Sequence, residues 1–371
     1  MKILTIGGAT QDIFLNFQGA DSISITKKDG VSHFMLFESG EKIEVDNLAV
    51  LTGGGATNAA VSFKRLGFQT SCLCAVGSDS AGSEVVKELT LEGIDTQPIQ
   101  ISSKDKTAVS YIISTLQNER TIFVFRGANR SLDLTGFSFE ALPSFNYLYI
   151  TSLTGNASTH LPWLTTQAKK LNIPVAINPG TSQLAQGTAT LKKSLCNIDI
   201  LIMNYSEAKT FMFALVGIEE EYKSILAEYG QMNQCKADDQ KPYLLESPIP
   251  YENIYFSIKK FFTQMLKMGP KIVVITNGCN GVYVATGKEG FFHPSIKTNV
   301  VDTVGAGDSF GSCFVASIIK GMSVQDALRN GVINSASVLQ FVGAKQGLLK
   351  EHQLREKVTQ VPSNLIQKFE I

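Results

Sequence analysis

Hydrophobic positions fall into two regimes along the chain. Lys2 to Ile6 forms a short apolar strand ending in Gly7-Gly8. Residues 12–51 alternate weakly, as in Ile23-Ser24-Ile25-Thr26 and His33-Phe34-Met35-Leu36-Phe37, with polar turns between. Period-two alternation predicts short antiparallel strands outside a main sheet. From Thr57 the pattern changes. Helical stretches at 57–66, 80–92, 159–171 and 204–214 alternate with apolar strands at 70–76, 145–150, 174–177, 198–202 and 271–275. Helices near 306–320 and 323–342 close the chain. Such alternation predicts a mostly parallel sheet covered by helices. Residues 216–257 break the rhythm with Glu219-Glu220-Glu221, a polar run over 231–240 and Pro242, Pro248 and Pro250. They read as an insertion ahead of a helix at 256–267, either a surface loop with one short helix or a lid or interface element.

Composition excludes several classes. The 371 residues carry no formal net charge, so no global field recruits nucleic acid or an anionic membrane. No apolar run reaches spanning length, and the N-terminus is broken by glycine too early for a signal peptide, which predicts a cytoplasmic protein. Cys72 and Cys74 alternate within an apparent buried strand, without the paired spacing of a zinc site, and read as reduced thiols. His33 falls in the weakly alternating region, and His160, His293 and His352 lie far apart without ligand spacing.

Two glycine-rich segments carry the chemistry. Asp302-Thr303-Val304-Gly305-Ala306-Gly307-Asp308-Ser309-Phe310-Gly311 opens an apolar helix. Free N–H groups at a helix start form an anion pocket. A carboxylate in the same turn takes a proton from a hydroxyl while the pocket holds the phosphoryl group that the hydroxyl attacks. An acid in a first turn is also favoured by the helix dipole alone. The second segment, Gly53-Gly54-Gly55-Ala56-Thr57-Asn58 to Gly67, opens another helix; its glycines equally suit tight helix–sheet packing. Asn58 is placed to bond a substrate hydroxyl. The run is no dinucleotide fingerprint, because Asn58 replaces the third glycine, and the chain contains no P-loop.

Together the two segments resemble the signatures of the PfkB (ribokinase-like) family of carbohydrate and nucleoside kinases, in order and in separation. The resemblance covers nearly the whole chain except 216–257. It implies a single doubly wound α/β domain over 1–371 with a small β lid from about 12–51, joined by strands from 97–125. It implies ATP and Mg²⁺ as cofactors and a sugar or nucleoside as partner, with Asp308 as base and Gly305, Ala306 and Gly307 as anion hole. Asp12, Gly54, Gly55, Asn58, Arg126 and Asn129 would contact the substrate. Thr10 stands where ribokinases carry Asn and Gly55 where they carry Lys, which speaks against ribose itself. Asn204-Tyr205-Ser206-Glu207 resembles the motif that organises Mg²⁺ through water; a plain capped helix start reads the same way. Thr276, Gly278 and Gly281 resemble an ATP-contacting turn, and Asn334 would lie at the adenine. Asp302, Val304 and Gly343 resemble a monovalent-cation (K⁺) site, with Gly347 near where a Ser ligand often lies. Exposed lid edges predict a homodimer. A binding protein of the same fold that lost catalysis stays open. So does a dinucleotide-dependent oxidoreductase using Asp79, although its strand and third glycine do not match.

Overall fold

The computed structural model describes residues 1–16, 21–27, 30–114, 120–137, 141–228 and 241–371. Six strands run parallel in the order Gln69–Leu73, Lys2–Ile6, Tyr147–Ile150, Val175–Ile177, Ile200–Asn204 and Ile272–Thr276. An antiparallel extension follows through Val282–Thr286, Glu289–His293 and Gln367–Glu370. The central strands are buried on both faces, as near-continuous apolar runs require.

Alternate strand residues feed two cores. Leu4, Leu148, Ile150, Leu201 and Val273 meet helices on one side, among them Tyr205–Ile218 and Ile258–Lys267. The latter buries Ile258, Phe261, Phe262 and Met265, a single helical stripe. Ile3, Tyr149, Ile202 and Val274 face the other side, where Gly55–Arg65, Ala306–Ile319 and Val324–Val338 pack. Small residues let Gly55–Arg65 and Ala306–Ile319 approach: Ser62 Oγ and Ser312 Oγ lie 2.7 Å apart.

A separate four-stranded sheet stands over the carboxyl end of the main one. Thr10–Asn16 pairs antiparallel with Asn47–Gly53 and parallel with Ala108–Ser114, whose far edge takes Arg120–Phe125. The parallel pair departs from the all-antiparallel expectation, because the third strand comes from beyond the second helix, Ser80–Leu91. The hairpin Asp21–Lys27/Gly30–Leu36, which includes His33, forms its own two-stranded sheet. The strand expected at 70–76 divides at Cys74: Ala75–Gly77 leaves the main sheet to pair with Gln100–Ser102. Cys72 and Cys74 are buried free thiols, 3.8 Å apart at sulfur.

The 216–257 segment holds more structure than a loop with one helix. Tyr205–Ile218 runs into it, Glu221–Leu226 follows, and Ala227–Glu228, Ile254–Phe256 and Ile249–Tyr251 form a small sheet. The polar run at 231–240 and Cys235 lie outside the described residues. Among the described residues no helix is long and apolar enough to cross a membrane.

Candidate active site

Strand order reverses at Lys2–Ile6, which sits between Gln69–Leu73 and Tyr147–Ile150. Crevices outside the carboxyl ends of strands at such a reversal are where open α/β sheets bind ligands. The turn Gly7-Gly8, both glycine-rich helix starts and the roots of two lid strands meet there. Gly54 caps its helix at φ 99°, and a Cβ built on it would fall 2.5 Å from Gly8 O, so only glycine lets these two turns touch. Gly55 packs on Thr151, where a Cβ would lie 2.9 Å from the threonine side chain.

Ala306–Ile319 begins at Gly305 in a left-handed conformation, φ 77°. Ser309 N donates to Gly305 O at 2.9 Å, while Ala306 N reaches back to Thr303 O at 3.4 Å. The amides of Gly307 and Asp308 are left ahead of the helix ladder. A Cβ on Gly307 would meet nothing within 4 Å. No packing inside the protein demands that glycine, and the space above it suits a phosphoryl group.

Asp308 stands beside this opening. Asn58, 4% exposed, donates from Nδ2 to Asp308 Oδ2 at 2.8 Å. The Asn58 Oδ1 acceptor is buried without a partner among the described residues. A buried acceptor left unpaired in this way is open to a donor from a ligand or a water. Burial pushes the Asp308 pKa up, with Asp12 adding to it, while the Asn58 bond and the Lys345 charge pull it down. The net rise makes Asp308 a better proton acceptor than a free aspartate.

Asp12 is 6% exposed, on the lid strand Thr10–Asn16. Thr10, standing where the family resemblance places Asn, donates its hydroxyl to Asp12 Oδ1 at 2.9 Å. A side chain on Gly53 would strike the Asp12 carboxylate. Burial raises the Asp12 pKa; bonds from Thr10 and Ser110 and the charge of Lys345 oppose the rise. Lys345 is a site residue the sequence did not reveal. Its side chain is 6% exposed, and Nζ donates to Thr52 Oγ1 at 2.6 Å and to Glu88 Oε2 at 3.1 Å. Burial lowers its pKa against the pull of Glu88. Nothing in its flanking residues marks it, since its partners come from a lid strand and a distant helix.

Asp302 ties loops together. Val304 N donates to Oδ1 at 3.0 Å and Gly343 N to Oδ2 at 2.9 Å. Arg120 on the lid edge strand reaches Oδ1 at 3.3 Å. With both carboxylate oxygens engaged, Asp302 is an organiser of the turn and a latch for the lid.

Thr276 lies in register with Asn204 on the neighbouring strand. Asn204 caps Tyr205–Ile218 in a reciprocal box: its Oδ1 accepts from Glu207 N, and Glu207 Oε2 accepts from Asn204 N, each at 2.8 Å. Burial pushes the Glu207 pKa up to about 7, with Asp308 adding to the rise. A carboxylate held so high favours a nearby cation, and its second oxygen is available to one, so Asn204 and Glu207 fit the water-mediated Mg²⁺ role. Gly278 and Gly281 take left-handed angles, φ 55° and 86°, in the turn to Val282–Thr286, and a Cβ on Gly278 would also meet nothing.

Asn129, half-buried, clamps the 7–9 turn: Oδ1 accepts from Ala9 N and Nδ2 donates one hydrogen to Ala9 O, each at 3.0 Å. One expected contact is corrected. Asn334 is fully buried, donating to Ser309 O at 2.9 Å and accepting from Leu349 N at 3.0 Å, which removes it from any adenine site. Arg126 is half-buried beside the Gly127–Arg130 turn and forms no ion pair among the described residues.

Comparisons with known proteins bear on this arrangement. A family model described as pfkB family carbohydrate kinase matches residues 25–234 and 257–351. The chain is 26% identical over 306 residues to an ATP-dependent 6-phosphofructokinase of Thermoanaerobacterium thermosaccharolyticum, covering 82% of this chain and 84% of that one. It is 25% identical to a ribokinase of Haemophilus influenzae, covering 83% and 88%. The solved structure of Arabidopsis thaliana ribokinase complexed with ribose and ATP aligns with a TM-score of 0.72 at 18% identity, over 96% of this chain and 98% of that one.

Proposed function

Because the chain belongs to the pfkB family of carbohydrate kinases, we propose that it moves the γ-phosphoryl group of ATP to a hydroxyl of a sugar or sugar-like acceptor, with Asp308 as the base. One observation carries this reading: a carboxylate raised by burial stands beside two unengaged helix-start amides and an orphaned asparagine acceptor. Asn58 Oδ1 accepts from an acceptor hydroxyl, and Asp12 accepts from another. Asp308 takes the proton of the attacked hydroxyl as its oxygen bonds to phosphorus and the bond to ADP breaks. In a loose transition state the proton leaves late, so a carboxylate suffices. The amides of Gly307 and Asp308 hold the developing charge; losing one such donor typically costs about 2.7–4 kcal/mol. Asn204 and Glu207 would hold Mg²⁺ through water, and the ion would supply charge neutralisation on the phosphates. The lid, latched by Arg120 on Asp302, excludes water that would otherwise compete for the phosphoryl group.

Asp302, Val304 and Gly343 are the residues that would hold a monovalent cation, and no step is assigned to K⁺. Arg126, with no carboxylate partner among the described residues, supports an acceptor with a strongly polar or anionic group. A nucleoside acceptor is the second reading. It is favoured by Ile122 and Val124, which share the lid face of Asp12 and remain 42% and 49% exposed, an apolar surface suited to a base. The opposite lid face carries Leu48, Val50, Tyr111, Phe123 and Phe125, each at least 43% exposed. Such a face supports a homodimer through the lid. Purified protein assayed for ADP release with Mg²⁺-ATP across sugars, sugar phosphates, sugar acids and nucleosides tests the proposal. Acceptor-stimulated turnover is expected, and its absence throughout the panel, with ATP bound, would leave a fold-retaining sensor as the reading.

A further inference from the structure

The family match skips residues 235–256, yet the described part of that insertion is built into the molecule. Leu244 is 3% exposed, and its amide donates to Tyr283 Oη at 3.3 Å. Ile249 and Phe256 are buried, and Tyr251 stacks on Phe256 with centroids 4.6 Å apart. The segment is therefore anchored in the core beneath it. From this anchor the turn Tyr243–Leu245 reaches the main sheet's carboxyl edge. There Asn277 Nδ2 donates to Tyr243 Oη at 2.9 Å.

Asn277 directly follows Ile272–Thr276 and begins the open glycine turn, its own amide donating to Gly281 O at 2.9 Å. Thr276 is the register partner of Asn204, the cap partner of Glu207. The half-buried Tyr243 phenol thus lies at the edge of the 276–281 turn. Its oxygen is already an acceptor for Asn277, and among the described residues its own proton finds no acceptor. A fixed phenol donor beside a turn whose Gly278 leaves room above it matches the oxygens of a nucleotide.

We infer that Tyr243, carried by the insertion, is a binding residue for the nucleoside triphosphate donor. It donates its hydroxyl proton to a phosphate or ribose oxygen of the nucleotide, while Asn277 holds the phenol in place. The inference rests on the kinase reading and adds to it the part of the chain outside the family match.

The test is Tyr243→Phe, read by calorimetric binding of a non-hydrolysable ATP analogue with Mg²⁺ and by steady-state kinetics. Loss of one hydrogen bond predicts about two- to tenfold weaker analogue binding and a matching rise in KM for ATP. The KM for the acceptor stays at its parental value, and the ligand-free melting temperature falls only slightly, by the loss of the Asn277 bond. Asn277→Ala, which releases the phenol, is expected to weaken nucleotide binding in the same direction. Parental affinity for the analogue in Tyr243→Phe overturns the inference while leaving the kinase reading intact. A lowered melting temperature with both KM values raised together would show Tyr243 to be a packing residue only, and overturn it too. Parental protein that binds no nucleotide at all would sink both.

Discussion

Asn58→Ala tests how the site sets its base. The side chain donates to Asp308 at 2.8 Å, and this is the hydrogen bond that opposes the effect of burial on that carboxylate. A hydrogen bond to a charged acceptor is worth about 1.5–3 kcal/mol, and each tenfold change in ionisation about 1.36 kcal/mol, so removing it raises the acidic limb of activity by about one to two pH units. The direction follows from the geometry: the bond favours the ionised form, so its loss favours the protonated one. The assay is kcat/KM for the acceptor against pH at saturating Mg²⁺-ATP. Glu207, held near 7 by burial and raised further by the charge of Asp308, would add its own titration to the profile. The comparison is therefore made in a Glu207→Gln background, where only one of the pair titrates. An acidic limb that coincides with and without Asn58 in that background would refute the reasoning.

The remaining predictions concern the turn, the lid and stability. Gly307→Ala keeps the melting temperature but loses most turnover, because its Cβ meets no protein atom and projects into the phosphoryl space; Gly305→Ala instead loses at least about 1–2 kcal/mol of stability in denaturant titration, since it combines φ 77° with overlap on Ala344. Arg120→Ala raises the acceptor KM about two- to fivefold with little change in kcat, the scale of a partly exposed ion pair, and high salt narrows the difference. Glu207 has a raised folded pKa, so its stabilising contribution is complete below the free value of 4.5 and is lost as pH rises through about 7. Thermal unfolding of Glu207→Gln across pH 4–8 is expected to lack that decline; an identical decline in the variant counts against a desolvated Glu207.

Local signals made much of this molecule legible. The step from period-two to helical spacing near Thr57 separates lid from main sheet, and the turn at 302–311 announces a helix start with an acid in it. Long-range pairing was not legible. Ala108–Ser114 joins Thr10–Asn16 in parallel, a register fixed only once the second helix has packed. Asn334 read as a ligand contact because a buried, bonded asparagine and a ligand-facing one have the same sequence. Lys345 escaped for the opposite reason: a lysine in a glycine-bracketed loop reads as solvated until Thr52 and Glu88 close around it. The insertion read as a loop because its apolar anchors, such as Leu244 and Ile249, are too short and scattered to show a period.

The two lid arms nearest the cleft leave the core through Gly7-Gly8 and Gly53-Gly54. Asp12 rides on the far side of those joints, and Asn58 with Asp308 on the near side. On the proposed reading, an acceptor would be gripped from two bodies at once and would fasten one to the other. An analogue lacking the hydroxyl meant for Asp12 would still dock on the stationary half, yet would leave the cover ajar. Water would then enter beside a primed nucleotide, and futile ATP cleavage would betray the imperfect guest.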